Sequence, residues 1–383
     1  MTVSVAGYAS PAGVMLVTNK LQEAPAGGRE MLCRLNHDVL KELLGDRLVV
    51  VELDKSPVRG MASVAAAFRG HIDGLDQGAI DSILGKIASL GLDTVFVDGS
   101  NLGQVAKAVK RRFPKVRTIV FFHNVEARFF WGALKRSRSV HALAVLLVNW
   151  LAERKSVRYS DKRICLSARD STLLIRLYGR GATDVSPISL QDRARLGPED
   201  REAGLPGGFA LFVGGVFYAN RDGIAWFVKN VVPHIRIKTV IVGKGFEAMR
   251  TQLEQPGKVE VVGAVDDLAD WYRDAQVVIA PIFDGSGMKT KVAEALMHGK
   301  KVIGTPEAFS GYEDVASKAG WVCATAPEFA NAIAAAQADP PQSFLPELRA
   351  LYEGKYSFDA ARARFAKILE PSGSNLSMRS SLW

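Results

Sequence analysis

Cysteine is scarce in this 383-residue chain: Cys33, Cys165 and Cys323 are far apart, odd in number and never in a CxxC spacing. That arithmetic excludes a disulfide framework and a cysteine-based zinc site, and the expected compartment is reducing and cytoplasmic. Long apolar runs are missing too. None approaches the roughly 18 to 20 residues that span a bilayer, and the opening MTVSVAGYASPAG has neither a basic nor an apolar leader region, so neither secretion nor membrane insertion is expected. The chain also lacks GxxxxGKS or GxxxxGKT, a GxGxxG after its first strand, and HExxH, which removes P-loop, simple dinucleotide-binding and zinc-protease readings.

What is present is an ordinary globular composition, 48% hydrophobic and 23% charged, long enough for two cores. The net charge of +9 is unevenly spread: residues 101–190 hold 18 basic residues against 5 acidic, whereas residues 191–383 are almost balanced. Such an excess suits an anionic membrane surface, a phosphorylated substrate or nucleic acid. The last is disfavoured, because the basic residues are not interleaved with aromatics in a nucleic-acid module.

Short apolar runs alternate with helical patterns. Strands are expected at 14–21, 48–53, 94–97, 118–123 and 163–166, then at 210–214, 239–242, 259–262, 277–281 and 301–304. Strands apolar almost throughout and separated by helices are covered on both faces, so the fold class is α/β, with two doubly wound, Rossmann-like parallel sheets facing a cleft. The expected boundaries are 1–190 for the first domain, 191–208 for a Pro/Gly-rich charged linker, 209–355 for the second domain, 356–370 for a final helix and 371–383 for a disordered tail.

The most informative segment is VVIAPIFDGSGMKTKVAEALMHGKKVIG, residues 277–304. A strand runs into a loop with Gly285 and Gly287, then into a helix expected to open near Met288 or Lys289 and to end at Gly299. Glycines let backbone N–H groups approach a ligand, and a helix N-terminus favours anions. Lys289 and Lys291 are cations in a first turn, where the dipole disfavours them; they either face solvent or await an anion. Glu294, three residues from Lys291, either pairs with it or grips the two hydroxyls of a ribose.

GSGMKTKVAEALMHGKKVIGT resembles the donor-site motif of family-4 glycosyltransferases of the GT-B fold, in the subset serving bacterial surface-polysaccharide assembly. FVGGVFYANRDGIAWF, VEVVGAVDDLADWYRDAQVVIAP, FFHNVEARFF and the closing YSFDAARARFAKIL are similar to further segments of that family, in its order. The resemblance implies a first domain on the acceptor side, a second domain holding a nucleotide-sugar donor, and a final helix packing back toward the first. Glu294 would bind the ribose, while Asp284, Gly285, Ser286, Gly287, Met288 and Lys289 would hold the diphosphate and border the sugar. Gly214 would mark the first loop of the donor domain, and Gly263, Val265 and Leu268 would border the base. Gly27 and Gly28 would match a loop over the donor phosphates, and His123 would face the transferred sugar. The implied catalytic pair is His123 and Lys289, with a UDP-sugar as co-substrate, no metal and retention of configuration; the DxD triplet of metal-dependent GT-A enzymes is absent.

Two positions depart from the pattern: Ser286 stands where the family usually has Glu, and Gly215 where a basic residue commonly follows the glycine. Asp284, Arg221, Lys244 or Lys291 are the candidates to replace the lost contacts. His123-Asn124-Val125-Glu126 reads either as a satisfied structural cluster or as a strand-end site. The apolar 141–152 stretch, with basic residues on both sides across 135–163, reads either as a buried core helix or as a patch on an anionic membrane beside a polyprenyl-diphosphate-linked acceptor. The leading expectation is thus a cytoplasmic, membrane-peripheral glycosyltransferase acting on a carbohydrate or lipid-linked acceptor; a nucleotide-sugar epimerase and a non-catalytic nucleotide-sugar-binding scaffold are the alternatives.

Overall fold

A computed structural model of the chain describes residues 13–23, 27–54, 61–194, 208–338 and 344–370. It divides into two units, Met1–Ser186 with Asp359–Trp383, and Pro187–Phe358. Runs such as VMLVTN and TVFVD have no polar face, so each must be buried on both sides, and every residue of Val14–Val17 and Val95–Val97 has no exposed surface.

In the first unit these runs form a six-stranded sheet: β1 (Val14–Asn19), β2 (Leu48–Leu53), β3 (Thr94–Asp98), β4 (Arg117–Phe122), β5 (Lys162–Cys165) and β6 (Asp184–Val185). The order is β2-β1-β3-β4-β5-β6, all neighbours parallel, with Val14 in register with Leu48 and Thr94. The connecting helices start where side chains can accept from the first turn. Asp76 caps Gln77–Leu90 through Ala79 N at 2.7 Å, and Ser139 caps Val140–Tyr159. The helix Phe358–Leu369 adds its face to this sheet. Phe365 sits 5.6 Å from Phe96 and 6.1 Å from Phe121, and the Arg117 guanidinium donates to the carbonyls of Ile368 and Leu369.

The second unit has β7 (Phe209–Val213), β8 (Thr239–Val242), β9 (Val259–Gly263), β10 (Ala275–Ala280), β11 (Val302–Gly304) and β12 (Gly320–Val322), ordered β12-β11-β10-β7-β8-β9 and again parallel. The two sheets of six parallel strands are the doubly wound α/β architecture expected from the sequence. All ten expected strands form, with ends moved by at most two residues; β6 and β12, two and three residues long at sheet edges, are additional.

Strand order reverses between β1 and β3 in the first sheet and between β7 and β10 in the second. At such switch points the loops leave in opposite directions and open a crevice for ligands at the carboxyl ends of the strands. The loops that matter therefore follow β7 and β10, and β1 and β3. Close packing secures the first pair: a Cβ on Gly223 would stand 1.8 Å from the Pro281 carbonyl oxygen, so only glycine lets the helix Tyr218–Asn230 lie against the end of β10.

Residues 187–194, placed by the sequence in the first domain and the linker, pack on the second unit. Leu190 N donates to Tyr356 O at 2.8 Å, Tyr352 Oη donates to Leu190 O at 2.9 Å, and Asp192 pairs with Arg349. The rest of the expected linker to 207 and the expected tail 371–383 lie outside the described residues.

Candidate active site

In the second unit, β10 leads through Pro281–Lys289 into the helix Thr290–Met297. Gly285 and Gly287 adopt φ of +141° and +67°, which side chains with a Cβ rarely tolerate, and this turn keeps the backbone bare. Asp284 is exposed and accepts from Gly285 N at 2.8 Å; Ser286 is partly exposed; Met288 is buried, its Sδ accepting from Ile188 N. The helix begins at Thr290, two residues after Met288 and one after Lys289, the two openings expected, since Lys289 has an extended backbone and is the cap residue.

Lys289, expected on a diphosphate, is committed within the loop. Its Nζ donates to Gly287 O at 2.7 Å and pairs with Glu307 at 3.1 Å, and its carbonyl accepts from Tyr312 Oη at 2.9 Å. Lys289 thereby sets the shape of the glycine turn. Glu307, from the loop after β11, has no local signal in the sequence that ties it to a lysine eighteen residues earlier.

Glu294 lies one turn into the helix, partly exposed, and its Oε2 accepts from Tyr272 Oη at 3.2 Å. Burial of the carboxyl raises its pKa above the ordinary value, opposed by Tyr272 and Lys291. Tyr272 is itself clamped face to face on His298, ring centroids 4.4 Å apart, and burial pushes that imidazole down to about 4, leaving it neutral. A carboxylate so oriented, with a neutral aromatic support, suits acceptance of hydroxyl donors.

The loop after β7 carries Gly214, with φ of +151°, and Gly215; a Cβ on Gly214 would come 2.8 Å from Asn220 Nδ2. Asn220 Nδ2 donates to Gly215 O and its Oδ1 accepts from Lys291 Nζ, both at 2.8 Å. Gly263 closes β9 at φ +90°, and Val265 and Leu268 are partly exposed beyond it. Glu247, which the sequence reading missed, spans this region by accepting from Gly245 N at 2.7 Å and Ala264 N at 2.6 Å, and these bonds hold its carboxyl below the usual range.

In the first unit, Gly27 and Gly28 open the helix Gly28–Leu44, and a Cβ on either meets nothing within 4 Å, so packing does not demand glycine there. His123 directly follows β4 but is buried, its Nε2 2.7 Å from Asp98 Oδ1. Asp98 also accepts from Thr18 Oγ1 at 2.9 Å and Asn36 Nδ2 at 2.8 Å, and His123 leads the interactions that keep it ionised below its ordinary pKa despite complete burial. With Nε2 engaged, His123 Nδ1 is buried without a hydrogen-bond partner. Asp98 was not singled out in the sequence, although a carboxylate before a glycine at a strand end, Val97-Asp98-Gly99, is a legible signal. Cys33, Asp98 and His123 offer three ligand atoms within 4.8 Å of one another. Burial drives the Cys33 thiol far up, so it is protonated, which suits a hydrogen-bonded cluster and not a thiolate ligand.

Glu126 opens the next helix, Glu126–Ser137, and burial pushes its carboxyl up to about 8, opposed by Arg29. The fully buried Glu153 accepts from Glu126 N at 2.9 Å, Ala127 N at 3.2 Å, Ser100 Oγ at 3.1 Å and Tyr178 Oη at 2.7 Å, and so satisfies that helix N-terminus.

The helix Val140–Tyr159 is not the buried core element of one sequence reading. Val140, Leu143 and Leu147 are exposed, as is Trp131 on the preceding helix, and only Val148, Asn149 and Ala152 of the apolar stretch are buried. Lys135, Arg136, Arg138, Arg154 and Arg158 are exposed around them. Other basic residues of this segment serve the fold: Lys155 donates to Gln104 at 2.9 Å, Arg163 to Gly181 O at 2.7 Å, and Lys162 pairs with Asp184. Among the described residues no helix is long and apolar enough to cross a membrane.

Residues 208–339 match the family described as glycosyl transferases group 1. This stretch is a group 1 glycosyltransferase domain. Over nearly the whole chain, the fold is that of solved GT-B enzymes. Sucrose-phosphate synthase from Thermosynechococcus elongatus is 16% identical with a TM-score of 0.71, over 93% of this chain and 98% of that one. HepE from Anabaena, solved with UDP and with UDP-glucose, is 14% identical, with TM-scores of 0.66 and 0.64 over 93% of this chain and 99% of that one. No curated protein matches the sequence. The chain thus carries a glycosyltransferase domain in its second unit; the likeness to solved structures at these identities speaks for the fold alone.

Proposed function

We propose that this glycosyltransferase moves a sugar from a nucleotide-diphosphate donor, a UDP-sugar first, to a carbohydrate or polyprenyl-diphosphate-linked acceptor in cell-surface polysaccharide assembly, as in the family-4 subset it resembles. The observation that carries the reading is the bare Gly285–Met288 backbone leading into the Glu294 helix at the switch point of the donor sheet. In this reading Glu294 takes ribose hydroxyls, the backbone of 285–288 takes the diphosphate with Asp284 and Ser286 at its margin, and Gly263, Val265 and Leu268 border the base. Lys289 fixes the turn that presents those N–H groups. On the first unit, Gly27 and Gly28 serve the phosphates, and His123, whose Nδ1 lacks a partner, serves the transferred sugar. Rate comes from preorganised stabilisation of the departing diphosphate by the helix dipole and the backbone N–H groups of the turn that Lys289 fixes, without a metal.

Support for UDP is that HepE structures of the same fold contain UDP and UDP-glucose. The test is release of nucleoside diphosphate from UDP-, GDP- and ADP-sugars with a polyprenyl-diphosphate-linked sugar as acceptor, in excess EDTA, with the anomer of the product determined. Release in EDTA with retention is expected; strict dependence on a divalent cation, or inversion, contradicts the mechanism proposed.

We also propose that the exposed Trp131, Val140, Leu143 and Leu147, ringed by Lys135, Arg136, Arg138, Arg154 and Arg158, rest on the cytoplasmic face of an anionic membrane. Lys135 over Trp131 and Arg154 over Trp150, 5.6 Å from each ring, show the amphipathic pairing that such an interface favours.

A further inference from the structure

The loop after β7 has no charge of its own. Gly214 and Gly215 carry no side chain, and Asn220 is neutral, so the β7 side of the switch point offers a leaving diphosphate only backbone. Of the candidates for a replacement cation, Arg221 is exposed and paired with Asp222 at 2.8 Å, Lys244 is exposed, and Lys289 is held by Glu307 and Gly287 O. Lys291 is different. It leaves the second residue of the Thr290–Met297 helix, is only 6% exposed, and its Nζ lies 3.4 Å from where a Gly214 Cβ would be.

The surroundings of that ammonium are unusual for a structural lysine. Its hydrogen-bond acceptor is the neutral Asn220 Oδ1 at 2.8 Å, its other close neighbour is the Phe212 ring face, 4.3 Å from Nζ to centroid, and no carboxylate closes an ion pair with it among the described residues. The charged groups that bear on it are Glu294, which favours its charge, and Lys289, which opposes it; β7 and the Tyr218–Asn230 helix contribute Phe212 and Asn220. Burial outweighs these and lowers its pKa to about 7. A cation in the first turn of a helix, desolvated and without an anion, is costly for the fold unless an anion is its partner.

We propose that Lys291 supplies the positive charge that the β7 loop lacks, binding the diphosphate of the donor, with Asn220 as the positioning residue that holds the ammonium beside Gly214. The inference rests on the donor-site reading above and names the cation within it. Asn220 is itself fixed by its bond to Gly215 O, so the amide oxygen, and not the amide nitrogen, faces the lysine. When the diphosphate enters, the charged form of Lys291 gains an anionic partner, and its pKa rises.

Calorimetric titration of the full chain with UDP, UMP and uridine tests this. In the wild type, UDP binds more tightly than uridine. Lys291→Met is expected to weaken UDP binding by roughly ten- to a hundredfold, the loss of a charge-assisted bond, while uridine binding changes by less than about twofold. Lys291→Arg is expected to recover part of the UDP affinity. Asn220→Asp leaves the lysine in place and gives it a carboxylate that competes with the diphosphate; it is expected to raise the melting temperature and weaken UDP about tenfold, again sparing uridine. Wild-type UDP affinity should fall between pH 7 and 9, and that of Lys291→Met should not. Wild-type binding of UDP with unchanged UDP affinity in folded Lys291→Met, or equal losses for UDP and uridine, overturns the inference alone. Wild-type failure to bind UDP, GDP or ADP overturns the donor-site reading and this inference with it.

Discussion

At Glu294 the carboxylate is oriented by Tyr272, which is locked on His298. Glu294→Ala is expected to lower nucleoside-diphosphate affinity at least tenfold, and Tyr272→Phe by about fivefold, the worth of one positioning hydrogen bond, both measured by titration. Glu294 and the glycines before it were legible in the sequence because their chemistry is local: a strand, a bare turn and a helix in 28 residues. The employment of Lys289 was not, because Glu307 meets it only after β11 folds alongside β10. Lys291 adds a pH dependence to stability. Its pKa is about 7 when folded and 10.5 when unfolded, so between these values the unfolded chain binds more protons and stability rises with pH; below 7 the burial penalty is fully present. Lys291→Met is therefore expected to stabilise the apo chain by a few kcal/mol at pH 6, a gain that shrinks toward pH 10, read as the difference in urea unfolding free energy from wild type.

Among elements, the helix Thr290–Met297 is short and carries Lys291 and Glu294, the residues proposed to meet the donor, in its first two turns, whereas Val140–Tyr159 is long and exposes an apolar flank. The sequence left the second ambiguous, since HALAVLLVNWLA is apolar on every side and burial on one face cannot be told from burial on all. The structure buries one side and leaves Val140, Leu143 and Leu147 outside. Charge reversal of Arg136, Arg138, Arg154 and Arg158 together is expected to reduce binding to phosphatidylglycerol vesicles more than a hundredfold, at about 1 kcal/mol per basic residue, with the circular dichroism spectrum unchanged. Cosedimentation measures it, and binding equal to wild type removes the membrane contact. The edge strands β6 and β12 escaped the sequence because two or three residues make no pattern; tertiary pairing with β5 and β11 creates them.

Across the whole molecule, the alternation of apolar strands and helices was enough to read two parallel sheets, since strands buried on both faces leave a continuous apolar signature. The sharing of segments between units was less legible: residues 187–194 are claimed by Arg349, Tyr352 and Tyr356, and the last helix by Phe96, Phe121 and Arg117, contacts more than 150 residues apart in the first case and more than 200 in the second. Phe365→Ala is expected to destabilise the first unit by about 3 kcal/mol or more, the cost of a buried aromatic cavity, seen as a lower melting temperature of that unit in calorimetry. The central claim is that the second unit holds the nucleotide of a sugar donor through Glu294 and the glycine turn without a metal. It is tested most directly by thermal shift with UDP-, GDP- and ADP-sugars in EDTA, on wild type and Glu294→Ala, because a ligand that binds only the native state raises its melting temperature. The account predicts a shift of several degrees with one nucleotide, lost in Glu294→Ala; no shift with any of them, or an equal shift in the variant, contradicts it.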